Sequence, residues 1–95
     1  MGMIVGLCTI ELYIPDAQSL KGKRQVLLSL KTRLRNRFNI SFAEIEEQDL
    51  WQKAIVGMAC VANDTSRVNH TLDQVLNVIK ANRSLELLRS QIEIL

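Results

Sequence analysis

The chain predicts an α+β fold with its elements in the order βαββαβ. Three observations carry this: apolar residues alternate along three segments and fill both parities of a fourth, they recur at helical spacing along two more, and the two kinds of segment interleave in that order. With 95 residues, 47% of them apolar, residues 1–95 suit one domain with a modest core and no deep enclosed cavity. One Pro and four Gly argue against disorder, and no apolar run reaches the roughly 20 residues of a membrane span.

The first strand is expected over residues 3–14, where Ile4, Cys8, Ile10, Leu12 and Ile14 share one parity before Pro15 ends the run. This apolar start lacks a cationic leader and a small-residue cleavage site and carries Glu11, so it reads as a core strand and not as a signal sequence. Ser19 can cap a helix whose apolar positions Leu20, Leu27, Leu30, Leu34 and Phe38 extend to Asn39. Asn39 can take the left-handed conformation that ends a helix, and Phe38 would close the core beneath it. Residues 40–46 and 51–62 form a hairpin around the polar turn Glu47, Gln48 and Asp49, the second strand being apolar on both parities. Asn63, Asp64, Thr65 and Ser66 offer caps for a second helix with Val68, Leu72, Val75 and Ile79 on one stripe, ending near Asn82. Residues 85–95 return to strand, with Leu88, Ile92 and Ile94 on one parity and Arg89, Gln91 and Glu93 on the other. Two βαβ units in this order give a ferredoxin-like sandwich, a four-stranded antiparallel sheet with both helices on one face. Met3, Val5 and Leu7 then face away from the helices, and a homodimer through that open sheet face is expected to cover them.

The net charge of +2 conceals a segregation. Residues 21–37 hold seven cations, Lys21, Lys23, Arg24, Lys31, Arg33, Arg35 and Arg37, and no acid, while the rest of the chain has five basic and ten acidic residues. A concentrated positive face attracts polyanions whatever the total charge. On a helical wheel Lys21, Arg24, Lys31 and Arg35 flank one side of the leucine stripe, and Arg33 and Arg37 the other. Cations in the last turn suit the helix dipole, whereas Lys21, Lys23 and Arg24 crowd its positive end at a cost of up to about 1 kcal/mol each. Two readings of that first turn stand side by side: an anion site, which Gly22 would let a ligand approach, or an exposed cluster that is merely tolerated.

Catalytic and metal chemistry find little footing. His70, the one histidine, lies on the polar side of the second helix, and no nucleophile and base are readable together. Glu44, Glu46, Glu47 and Asp49 make an acidic hairpin that suggests solvation before cation binding. Cys8 and Cys60 lack CxxC spacing and a nearby histidine, so two buried thiols in a reduced cytoplasmic protein are expected, without cofactor or metal. An acylphosphatase would share the fold, yet Pro15, Asp16, Ala17 and Gln18 stand where its glycine-rich phosphate cradle belongs. RNA-recognition motifs on the same fold stack bases on central-strand aromatics, whereas Tyr13, Phe42 and Trp51 fall near strand ends or on the outer hairpin. Any nucleic acid would therefore be held by shape and backbone.

Ser19-Leu20-Lys21-Gly22-Lys23-Arg24 after the first strand, Phe38-Asn39-Ile40-Ser41-Phe42-Ala43-Glu44, Trp51 and Val61-Ala62-Asn63-Asp64 together resemble the YlxP-like family of small bacterial proteins, over almost the entire chain. The resemblance implies a ferredoxin-like fold, a cytosolic location and, in some bacteria, a gene near those for transcription elongation and ribosome-maturation factors; it implies no catalytic residue. The expected function is that of a non-enzymatic RNA- or ribosome-associated protein holding phosphates with Lys21, Lys23, Arg24, Lys31 and Arg35. The alternative is a small-molecule or protein-interaction module with its site at the homodimer interface.

Overall fold

The computed structural model describes residues 2–95. They form β1 (Ile4–Tyr13), α1 (Leu20–Arg37), β2 (Ser41–Glu46), β3 (Lys53–Ala62), α2 (Thr65–Lys80) and β4 (Glu86–Ile94). The sheet order is β2-β3-β1-β4 with every neighbouring pair antiparallel, the ferredoxin-like topology. Cys8, Ile10 and Leu12 of β1 and Ala54, Val56, Met58 and Cys60 of β3 point into one core. Leu27, Leu30 and Leu34 of α1 and Val68, Leu72, Val75 and Ile79 of α2 close it from the other side. Burying a Leu, Val or Ile side chain contributes about 1.5–3 kcal/mol, so these two stripes hold the helices on the sheet more than any cap does.

The caps follow the sequence. Ser19 accepts a hydrogen bond on its hydroxyl from the Gly22 N–H at 2.9 Å, and the Asp64 carboxylate accepts from the Ser66 N–H at 3.3 Å. The end of α1 differs from expectation: Phe38 is extended, its N–H donates to the Leu34 carbonyl, and Asn39 is not left-handed. The turn into β2 needs no reversal there. Phe38 is half-buried against the core with the Arg37 guanidinium 5.2 Å from its ring centre.

Two bulges correct the simple alternation. Glu11 pairs with Arg89 but Leu12 with Leu87, so Leu88 is an extra residue in β4. The parity of β4 therefore switches at that point, putting Leu85 and Leu87 against the core and leaving Leu88 46% exposed. In β2, Glu44 pairs with Val56 and Glu46 with Ile55, which makes Ile45 the extra residue. Trp51 also lies outside the strand predicted for it, because β3 begins at Lys53.

Lys23 is the main correction. It is completely buried, at the helical phase of Leu27, Leu30 and Leu34, and is unavailable to any phosphate. Its ammonium lies 2.7 Å from Glu44 Oε2 and donates to the carbonyls of Glu47 at 2.8 Å, Lys53 at 3.2 Å and Gln48 at 3.5 Å. Among the described residues Glu44 Oε2 has no other partner. A charge taken out of water costs several kcal/mol unless it is paired and hydrogen-bonded, and this one is both. The network pins the β2–β3 turn onto the start of α1. It also fixes Glu47 at φ 65°, the one described non-glycine residue in the left-handed region.

Replacing Lys23 by Ala is expected to lower the unfolding free energy by about 3–5 kcal/mol in urea titrations at neutral pH, because it strands Glu44 and the turn carbonyls. A Lys23→Met, Glu44→Leu double variant should regain part of that loss, since the charge and its counter-charge leave together while the turn carbonyls stay without their donor. Gly6→Ala is expected to cost about 1–3 kcal/mol in the same assay, as the new methyl would overlap Val68 Cγ1 and lie 3.1 Å from Leu72 Cδ1 inside the core.

Candidate functional site

With Lys23 withdrawn, the sequence-predicted anion site consists of Lys21, Arg24, Lys31 and Arg35. All four are on α1; Arg24 and Lys31 lie beside edge strand β2, where with Leu28 they join Phe42, Ala43 and Glu44 around a shallow depression of about 150 Å³, and Lys21 and Arg35 extend the row along the helix. Lys21, Arg24 and Arg35 are exposed and Lys31 is half-buried. None forms an ion pair among the described residues, and the one carboxylate in the depression, Glu44, belongs to Lys23. Lys21 and Arg35 lie fourteen positions apart along the helix, which spreads the four cations over about 21 Å. Arg33 and Arg37 border a separate, open depression with Gln25 and Thr32 on another side of α1.

A helix can present such a row because its core face is narrow. Leu27, Leu30 and Leu34 with Lys23 occupy about a sixth of the wheel, leaving the β2 flank free for the long side chains of Arg24 and Lys31 at the depression. In the first turn Gly22 sits tightly: an added Cβ would lie 3.3 Å from the capping Ser19 Oγ.

The open face of the sheet carries the residues expected there. Val5 pairs with Val61 and Leu7 with Ala59, and Ile45 covers Gly57, where its Cγ2 would lie 3.3 Å from an added Cβ. Val61 and Ile45 are about half exposed while Val5, Leu7, Ile55 and Ala59 are partly shielded by one another. The Lys53–Glu11 ion pair at 3.1 Å borders this strip. Tyr13 and Trp51 come together at the hairpin end of the sheet, both exposed, whereas Phe42 is buried. The one sequence signal for that pairing is a tryptophan placed one residue beyond the polar turn.

Catalytic groups do not gather. His70 is exposed beside Ser66, Arg67 and Thr71, and the described residues contain no cluster of three or more His, Cys, Asp or Glu suited to a metal. Cys8 and Cys60 are free and buried, with Cys8 opposite Met58 and Cys60 opposite Gly6. They are thus diagonal neighbours, a relation that sets Cα atoms about 7–8 Å apart, beyond ordinary disulfide reach. Burial, then the nearby Cys60 and Asp73, push the Cys8 thiol up to about 11, and burial also raises Cys60. Thiols held in the neutral form are poor nucleophiles.

Both cysteines are therefore expected to resist iodoacetamide in the folded protein at pH 8 and to react once it is unfolded in urea. Because the unfolded chain loses the Cys8 proton first, stability should fall as pH rises from about 9 to about 11, in urea titrations followed across that range.

Comparison with known proteins agrees with the architecture. A curated protein of Bacillus subtilis strain 168, described as uncharacterized protein YlxP, is 39% identical over 83 residues, which cover 87% of this chain and 90% of the relative. Among solved structures, the de novo designed protein Foldit4 superposes with a TM-score of 0.55 at 11% identity, covering 98% of this chain and 96% of its own. A hydantoinase/carbamoylase family amidase from Burkholderia ambifaria contains a similar substructure, with a TM-score of 0.53 at 6% identity over 99% of this chain and 28% of the amidase. These likenesses concern the fold alone. The model of a family described as protein of unknown function (DUF503) matches residues 5–92, and together with the Bacillus relative it shows that this chain belongs to that family.

Proposed function

We propose that this protein is a non-enzymatic RNA- or ribosome-associated protein that grips phosphate backbone through the β2-side flank of α1. The observation that carries the reading is the row of Lys21, Arg24, Lys31 and Arg35, four cations without carboxylate partners on one side of one helix. An unpaired row of cations repels itself, and a polyanion relieves that repulsion while releasing its own condensed counterions. Among the described residues the exposed aromatics Tyr13 and Trp51 lie together away from the row, which supports binding to backbone and shape. Two reduced cysteines suit the cytoplasm, where such a partner would be met.

A second reading is favoured by the open face. The apolar strip of Val5, Leu7, Ile45, Ala59 and Val61 suits a homodimer interface, and a small molecule or protein could be held along its border. Sedimentation of the protein across a hundredfold range of concentration tests this: a mass that stays monomeric removes the interface and the site with it.

The RNA reading is tested by fluorescence anisotropy with a structured ribosomal RNA fragment at salt concentrations from about 50 to 200 mM. A log–log slope of about −3 to −4 is expected, corresponding to about four phosphates. Reversing charge at Arg24, Lys31 and Arg35 should weaken binding at least tenfold, about equally for unrelated RNA sequences, and flatten the slope by about three. Reversal at Arg33 and Arg37 should have little effect. Unchanged affinity in the triple variant would remove the reading.

A further inference from the structure

We propose that the Tyr13, Leu50 and Trp51 surface at the hairpin end of the sheet docks an arginine-bearing segment of a partner protein. The chain has only four aromatic residues. Phe38 and Phe42 serve the core, while Tyr13 and Trp51 border one open depression of about 560 Å³ together with Leu50 and Asp49. Trp51 is 54% exposed, Leu50 46% and Tyr13 37%. An aromatic and aliphatic cluster left in water is the composition of an interface centre, where Trp and Tyr most often carry binding energy.

The cluster is held ready for contact. Gln52 Nε2 donates to the carbonyls of Pro15 at 2.9 Å and Ala17 at 3.2 Å, and the Gln52 carbonyl accepts from the Ile14 N–H at 2.8 Å. Lys23 holds the carbonyls of Glu47 and Gln48 on the other side of the turn, and that of Lys53 next to Gln52. Trp51 thus projects from a backbone held at Glu47 and Gln48 before it and at Gln52 and Lys53 after it, and little backbone freedom remains to be lost on binding.

Charge selects the occupant. Asp49 borders the depression, Glu86 is the register partner of Tyr13, Asp16 lies in the turn clamped by Gln52, and Glu46 and Glu47 lead into the hairpin turn. None of these five carboxylates forms an ion pair among the described residues, and the adjacent Lys53 is already held by Glu11. An acidic border repels a phosphate chain, so a nucleobase stacked on Trp51 would bring its backbone into unfavourable potential. A guanidinium meets both demands: its plane stacks on indole or phenol, and its edge donates to carboxylates. Tyr13 and Lys53 belong to the open face of the sheet, opposite α1, which makes this surface separate from the basic flank and independent of its role.

Trp51 is the chain's one tryptophan, so its emission reports occupancy directly. The full-length protein is titrated with an end-blocked octapeptide of alternating Arg and Ala, with Lys/Ala and Glu/Ala counterparts, and with oligouridylate. The arginine peptide should change Trp51 emission saturably, the lysine peptide should bind severalfold more weakly, and the glutamate peptide and oligouridylate should leave emission unchanged. In anisotropy with labelled arginine peptide, Trp51→Ala should weaken binding about tenfold and Asp49→Asn with Glu86→Gln about threefold to tenfold, with melting temperatures kept. Asp73→Asn, on an exposed position of α2, should change nothing. The Arg24→Gln, Lys31→Gln, Arg35→Gln variant should keep peptide binding even where RNA binding is lost, which separates failure of one surface from failure of the other. The proposal is overturned if the arginine peptide leaves emission unchanged, if oligouridylate changes it as strongly, or if emission changes with protein concentration alone, the mark of a second copy on this surface.

Discussion

One buried ammonium organises the hairpin half of this protein. Lys23 stands at a position that geometry assigns to the core, and its charge is tolerated there because Glu44 and three carbonyls replace the water it has lost. The outcome resembles what a bound cation does in other proteins: oxygen atoms from separate segments are drawn around one positive centre. Through it the first turn of α1, the inward side of β2 and the turn into β3 become a single rigid corner. The direction of the Trp51 loop follows from that corner, as does the withdrawal of Glu44 from the cations beside it.

This arrangement divides the electrostatics of the molecule. Had Glu44 been left free, it would have neutralised Arg24 or Lys31 across the depression; held by Lys23, it leaves the α1 flank uncompensated. The unpaired carboxylates collect instead around the hairpin end, on elements that run past Tyr13 and Trp51. A net charge of +2 thus describes neither surface. Each offers a partner of opposite sign, and the two lie on different sides of the sheet.

Much of this was legible from residue order. The six elements, their topology, the two caps and the buried thiols follow from period, parity and cap residues, and agree within a few residues. Lys23 departs from the expectation its charge suggests because helical phase decides its place: it sits four, seven and eleven residues before Leu27, Leu30 and Leu34, on their stripe. Glu44 shares the inward parity of Phe42, so phase and parity together aim two opposite charges at the core. Leu88 could not be assigned from alternation, because a bulge is a matter of which residues its neighbour offers. The Tyr13–Trp51 cluster depends on the register between β1 and β3, which only the folded sheet defines.

Both bulges fall on the outer strands, Ile45 in β2 and Leu88 in β4. An outer strand exposes a row of unpaired N–H and C=O groups that can template another chain, and an extra residue breaks the spacing on which such templating depends. Neither border of this sheet therefore offers a flat, uninterrupted ladder for runaway polymerisation. A small protein with an apolar sheet surface can in this way remain dispersed at high concentration, its contacts with other molecules directed to side-chain surfaces where they can be selective.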